Sequence, residues 1–186
     1  MNLMTIGEHI AQHQILGVRN GGYGVSVSIG ASDSGTAASV SGTTSETVLK
    51  IISIPAYLIS SKTLMMAVSC SLANTAATVR TFRVRLSTVA PVDGTGTSGL
   101  AGTVIGQWTQ SASNTACSVE LAIRDRLGAA QRSAPVGQQS ASMAANAWTA
   151  ASDTTAAREI VITCQLAASG GSETGVVEFY TAELVS

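Results

Sequence analysis

Three alternating stretches constrain this fold more than anything else in the chain: Cys117–Arg124, Glu159–Leu166 and Val176–Val185. In the first, Cys117, Val119, Leu121 and Ile123 fall on one side. In the second, Ile160, Ile162, Cys164 and Leu166 do the same. The residues between them are mostly small or polar. Successive side chains of an extended strand point to opposite faces, so a half-buried strand shows this period of two. The chain reads as a β-sandwich built for packing, and its function is to be sought in surfaces and assembly.

Earlier segments repeat the pattern. Val25, Val27 and Ile29 alternate with Ser26 and Ser28 in a short strand from Tyr23. Thr47 to Ile54 forms another, with Pro55 ending it or marking an edge. Leu64, Met66, Val68, Cys70 and Leu72 make the cleanest apolar face of the first half. Phe82, Val84 and Leu86 face in, whereas Arg83 and Arg85 face out. Thr103 to Trp108 is a further strand. Residues 140–151 read as extended and carry Trp148, although their alanines also suit a helix. Ala31–Gly42, Ala90–Gly102 and Arg124–Gln139 read as long connections. Eight to ten strands with no helix between them argue for an antiparallel sandwich and against βαβ units. Long crossings suit jelly-roll or Greek-key wiring. The expected fold is all-β: an antiparallel β-sandwich of jelly-roll type over residues 23–186, preceded by a short N-terminal arm, residues 1–22.

Composition bears on assembly. Of 186 residues, 45% are hydrophobic but only 4% are aromatic. Small side chains bury little area, and at about 25 cal/mol per Å² such a core is modest for its length. Part of the stability is therefore expected from neighbouring subunits. Charged residues make up 11% and the net charge is −1, so copies repel one another weakly, as suits a dense assembly. Arg80, Arg83 and Arg85 form the only basic cluster and no aromatic platform accompanies them, which disfavours nucleic acid. Three cysteines, Cys70, Cys117 and Cys164, sit on inward strand faces and read as buried reduced thiols. Their odd count argues against a disulfide framework. Residues 1–7 lack the features of a signal peptide, and no run approaches the roughly 18 apolar residues of a membrane span. A protein made in a reducing cytoplasm, without a membrane partner, is expected.

The arm differs from the rest. Thr5 and Glu8 have capping-box spacing, so either a short helix near Thr5–Gln14 or an extended arm is expected, Gly7 weakening the helix. Leu3, Met4, Ile6, Ile10, Ile15 and Leu16 are too apolar for a free tail and are expected to dock, either on the chain's own sandwich or, as the favoured reading, on a partner. His9 and His13 could share a metal on one helix face, but no third ligand lies near. The remaining chemistry is sparse. No Gly-x-Ser-x-Gly context precedes a helix. Asp125 lies beside Arg124 and Arg126 in an expected local salt-bridged group rather than a glycosidase pair. Gly94-Thr95-Gly96 lacks the lysine of a phosphate loop. No enzyme activity, cofactor or metal is expected.

Several runs carry a resemblance: Gly42-Thr43-Thr44-Ser45-Glu46-Thr47 before a strand ending Ile52-Ser53-Ile54-Pro55; Arg83-Val84-Arg85-Leu86; Val119 to Arg126; Asp153-Thr154-Thr155; and Glu173 followed by Val177 to Leu184. Over about residues 42–186 the chain resembles the small jelly-roll virion proteins of tailed bacteriophages. The resemblance implies a capsid decoration or cement protein on the outer surface of the head, with a homotrimer and the major capsid protein as partners. The alternative it implies is a tail fibre, spike or baseplate-associated module that binds a host glycan. It implies no catalytic residues.

Overall fold

In the computed structural model, the described residues are 16–18, 25–31, 38–57, 63–71, 78–88, 102–112, 116–125, 131–139, 142–143, 148–150, 155–170 and 173–185. They form thirteen strands: β1 (Leu16–Val18), β2 (Val25–Ala31), β3 (Ala38–Ser41), β4 (Thr47–Ile54), β5 (Thr63–Ser71), β6 (Arg80–Ser87), β7 (Gly102–Gln110), β8 (Ala116–Asp125), β9 (Gln131–Gln139), β10 (Ser142–Met143), β11 (Trp148–Ala150), β12 (Arg158–Leu166) and β13 (Thr174–Val185). No helix occurs among the described residues.

The strands make two antiparallel sheets. The larger has eight strands in the order β1-β2-β13-β5-β8-β9-β11, with β3 also paired to β13; the smaller has five in the order β10-β7-β6-β12-β4. At the centre lie β2-β13-β5-β8 facing β7-β6-β12-β4. The chain changes sheet between β3 and β4, β4 and β5, β5 and β6, and β7 and β8, and at each step from β9 through β13, while β6 and β7 form a hairpin within one sheet. Two sheets threaded alternately in this way are a jelly roll. The expected fold class is therefore the observed one.

Alternation places the core as the sequence predicts. Leu64, Met66, Val68 and Cys70 from β5, and Cys117, Val119, Leu121 and Ile123 from β8, line the large sheet's inner face. Phe82, Val84 and Leu86 from β6, with Ile160, Ile162, Cys164 and Leu166 from β12, oppose them. The Phe82 and Trp108 rings stack 5.7 Å apart. Gly106 of β7 meets Leu121 across the sandwich: a Cβ there would lie 2.6 Å from the leucine Cδ1. Sheet-to-sheet approach is set at that point by the missing side chain.

Four details differ from the sequence reading. The strand count is higher than eight to ten. Ala38–Ser41, within an expected loop, pairs with Thr174–Val177; only Val40 is large there, so the alternation is hard to see. Gln131–Gln139, within an expected connection, pairs with β8. Its Pro135 and Gly137 read as breakers, but they flank a register shift at which β9 carries one extra residue, Val136, and a missing N–H is tolerated beside such an irregularity. Finally, Leu16–Val18 pairs with Val25–Val27, so the sheet begins inside the segment expected to be a separate arm of residues 1–22. The sequence reading set the boundary of the arm at the turn signal Asn20-Gly21-Gly22, beyond β1.

Candidate functional site

Three places concentrate polar or accessible groups. The first is on the outer face of the small sheet. β6 presents Arg83 and Arg85 outward, in register with Thr163 and Val161 of β12, and with Gln107 and Val104 of β7. The segment linking β3 to β4 passes from one sheet to the other and turns at Gly42, whose φ of 67° favours glycine. It delivers Glu46 over these arginines. Arg85 donates through Nε to Glu46 Oε1 at 2.7 Å and through Nη2 to Oε2 at 2.8 Å. Arg83 Nη1 lies 3.2 Å from Oε2, and Thr163 Oγ1 donates to Oε1 at 2.5 Å. Arg83 also donates to Gln107 Oε1 at 2.8 Å and to Gln165 Oε1 at 3.0 Å. Gln165 Nε2 in turn donates to the Thr44 carbonyl at 3.1 Å. Burial alone would raise the Glu46 carboxyl. The hydrogen bonds from Arg85 and Thr163 and the two guanidinium charges outweigh it and hold the group below its ordinary value. The arrangement binds the inter-sheet crossing to three strands at once. Its groups are directed at one another, which is the chemistry of a clasp.

The second place is inside one end of the sandwich. Arg80 shares the parity of Phe82 and Val84, so it points inward and is fully buried. This removes it from the basic cluster in which the sequence grouped it; counting by twos along β6 separates it from Arg83 and Arg85. Its Nε donates to the Thr174 carbonyl and its Nη1 to the Thr78 carbonyl, each at 2.5 Å. Thr78 Oγ1 donates to Oε1 of buried Glu173, whose Oε2 has no hydrogen-bond partner. Burial pulls the Arg80 guanidinium down, and the negative field of Glu173 is among the influences opposing it. The three cysteines converge nearby, all free and buried. Cys70 and Cys117 are direct cross-strand partners, and Cys164 arrives from the opposite sheet. Burial raises Cys70 strongly and pushes Cys164 up to about 12. Cys117 is lowered, mainly by its hydrogen bond with Cys70. Among the described residues no group of His, Cys, Asp and Glu is placed to hold a metal ion.

The third place is the outer face of the large sheet. Cross-strand registers set up rows: Phe179, Ser69 and Ser118; Thr181, Ala67 and Glu120; Glu183, Met65 and Ala122; Val185, Thr63 and Arg124. The side chains in the middle, Ser69, Ala67, Met65 and Thr63, are uncharged, and Glu120, Arg124 and Glu183 flank them. Phe179 stands among them, 51% exposed. It owes this position to a bulge between Val177 and Phe179. Before the bulge Val177 faces the core, and after it Tyr180, Ala182 and Leu184 do. The irregularity switches parity and turns an aromatic outward. Ser71 Oγ donates to Glu178 at the same point.

Of the sequence-predicted contact residues, Leu16 lies in β1. Leu3, Met4, Ile6, Ile10 and Ile15 lie outside the described residues, as do His9, His13, Arg126 and Gly94-Thr95-Gly96. Glu46 and Glu173 carry no local signal: their partners are remote in sequence and meet them only through sheet pairing.

No family model and no curated protein matches the chain. Among solved structures it is similar to a peanut lectin with a nine-residue peptide, at 9% identity and a TM-score of 0.37, over 94% of this chain and 90% of that one. It is also similar to a conserved carbohydrate esterase from the Shiga toxin-encoding bacteriophage phi24B, at 12% identity and a TM-score of 0.36, over 84% of this chain and 90% of that one.

Proposed function

We propose that the chain is a structural virion protein of a tailed bacteriophage, a decoration or cement protein that assembles as a homotrimer on the outer surface of the head. The observation that carries this reading is the outer face of the large sheet. Its central strand presents only uncharged side chains, Ser69, Ala67, Met65 and Thr63, with Phe179 half exposed beside them. Such a face comes close to a flat neighbour over its uncharged central strand, with Glu120, Glu183 and Arg124 to either side, and an exposed aromatic is a favoured anchor. Closed three-fold symmetry would bury it in every copy without open-ended stacking. In this reading the residues before β1, with Leu3, Met4, Ile6, Ile10 and Ile15, hold the trimer to the major capsid protein.

Light scattering of the purified chain tests the assembly, and electron microscopy of undecorated heads mixed with it tests the station. A trimer that adds to heads is expected. Phe179→Asp should remain folded, since the residue lies outside the core, but should scatter as a monomer. A wild-type monomer at micromolar concentration, or a trimer indifferent to Phe179→Asp, would count against the face. A trimer that binds host glycan and ignores heads would move the protein to the tail.

A further inference from the structure

The convergence of Cys70 and Cys117 has no part in the assembly reading. The two residues face each other in register across β5 and β8. Both point into the core, at 0% and 4% exposure. Their thiols are near enough for each to shift the ionisation of the other. Directly opposed residues of an antiparallel pair have Cβ atoms about 4.5–5.5 Å apart. A disulfide spans about 3.5–4.5 Å between Cβ atoms, so only a small approach of two already bonded strands is needed. Cys117 is the second residue of β8 and Cys70 the last but one of β5. Strand ends open more readily than strand centres, which admits a small oxidant.

We propose that Cys70 and Cys117 form a cross-strand disulfide when the folded protein meets a peroxide, fastening β5 to β8 in the large sheet. Cys117 is the attacking sulfur. It is the less buried of the pair, 4% exposed against 0%, it stands next to the start of β8 where the strand opens first, and its thiol is lowered where that of Cys70 is raised. The Cys117 thiolate attacks one peroxide oxygen; the O–O bond breaks and hydroxide leaves, giving a sulfenic acid. The Cys70 sulfur then attacks the Cys117 sulfur. The S–S bond forms, the S–O bond breaks, and the departing oxygen leaves as water with the Cys70 proton. The released hydroxide takes up the proton first lost from Cys117. The sum is two thiols and one hydrogen peroxide going to one disulfide and two waters. Cys164 is the built-in competitor: it lies in the opposite sheet, and burial keeps it protonated. The bond would stay open in a reducing cytoplasm and close outside it.

The test uses the folded full-length chain, treated with hydrogen peroxide, alkylated, digested without reductant and mapped by mass. The expected product is one cross-linked peptide pair, joining the peptides of Cys70 and Cys117 and lighter by two hydrogens. A dithiol should reverse it, and its formation should raise Tm by several degrees. Cys164→Ala should still form the link, and Cys70→Ala or Cys117→Ala should lose it. Should the last two variants fail to fold, the wild-type map decides by itself. A chain that stays reduced, one that gains oxygen at Cys117 without cross-linking, or a link through Cys164 overturns the proposal.

Discussion

At the scale of single residues, neighbours in sequence have opposite fates. Leu121 is fully buried while Glu120 is exposed. Leu121→Asp would place an unpaired carboxylate in the core, at a cost of several kcal/mol, and should abolish soluble folding. Glu120→Gln should melt within a degree or two of wild type. Equal behaviour of the two in thermal melts would mean that the faces are exchanged. Two glycines are equally exacting. A Cβ at Gly106 would lie 2.6 Å from Leu121 Cδ1, and one at Gly175 would lie 2.5 Å from Cys164 Sγ. Gly106→Val and Gly175→Ala should each lose about 1–3 kcal/mol by overpacking, read as a lower urea midpoint with an unchanged slope. The strand faces were legible from alternation. The glycines were not, because the groups they admit come from other strands.

At the scale of elements, the Glu46 clasp decides how the β3–β4 crossing lies on the small sheet. Glu46→Gln removes the charge from two guanidinium groups and weakens the bond from Thr163. A charge-assisted hydrogen bond contributes about 1.5–3 kcal/mol, and partial exposure of both arginines puts the expected loss near the lower end. The pH dependence has a definite sign. The Glu46 carboxyl is lowered in the folded protein from its ordinary 4.5. Its stabilisation is therefore complete above the unfolded value and is lost as pH falls through the folded one. Urea melts of wild type and Glu46→Gln should differ near neutral pH and converge in acid, once the pH has fallen below the lowered folded value. A difference that persists in acid would show that the side chain acts by shape and not by charge. The arginines' outward direction was legible from the period of β6. Their partner was not, because Glu46 is brought to them by a crossing between sheets.

At the scale of the whole molecule, the first strand among the described residues begins at Leu16, which sets where the chain can be cut. Deleting residues 2–14 spares β1 and its pairing with β2. The truncated chain should melt as wild type and keep its trimer mass, yet no longer add to undecorated heads in a sedimentation assay. Retained binding would place the anchor on the sandwich. A truncated chain that fails to fold would show that those residues complete the domain. The two measurements thus separate the large-sheet face, proposed to join copies, from the segment proposed to join copies to the shell.

The amino-acid sequence alone determined the all-β class, the antiparallel pairing, the inward faces of β5, β6, β8 and β12, and the burial of all three cysteines. Each follows from a local rule, the two-residue period of an extended chain, which needs no knowledge of what lies opposite. Tertiary structure alone decided the rest. It set strand order, the short pairings of β1, β3 and β9, the parity switch that turns Phe179 outward, and the meetings of Glu46 with Arg85, Glu173 with Thr78 and Cys70 with Cys117. These depend on register between segments far apart in sequence. A one-residue shift there leaves every local pattern intact and changes every partner.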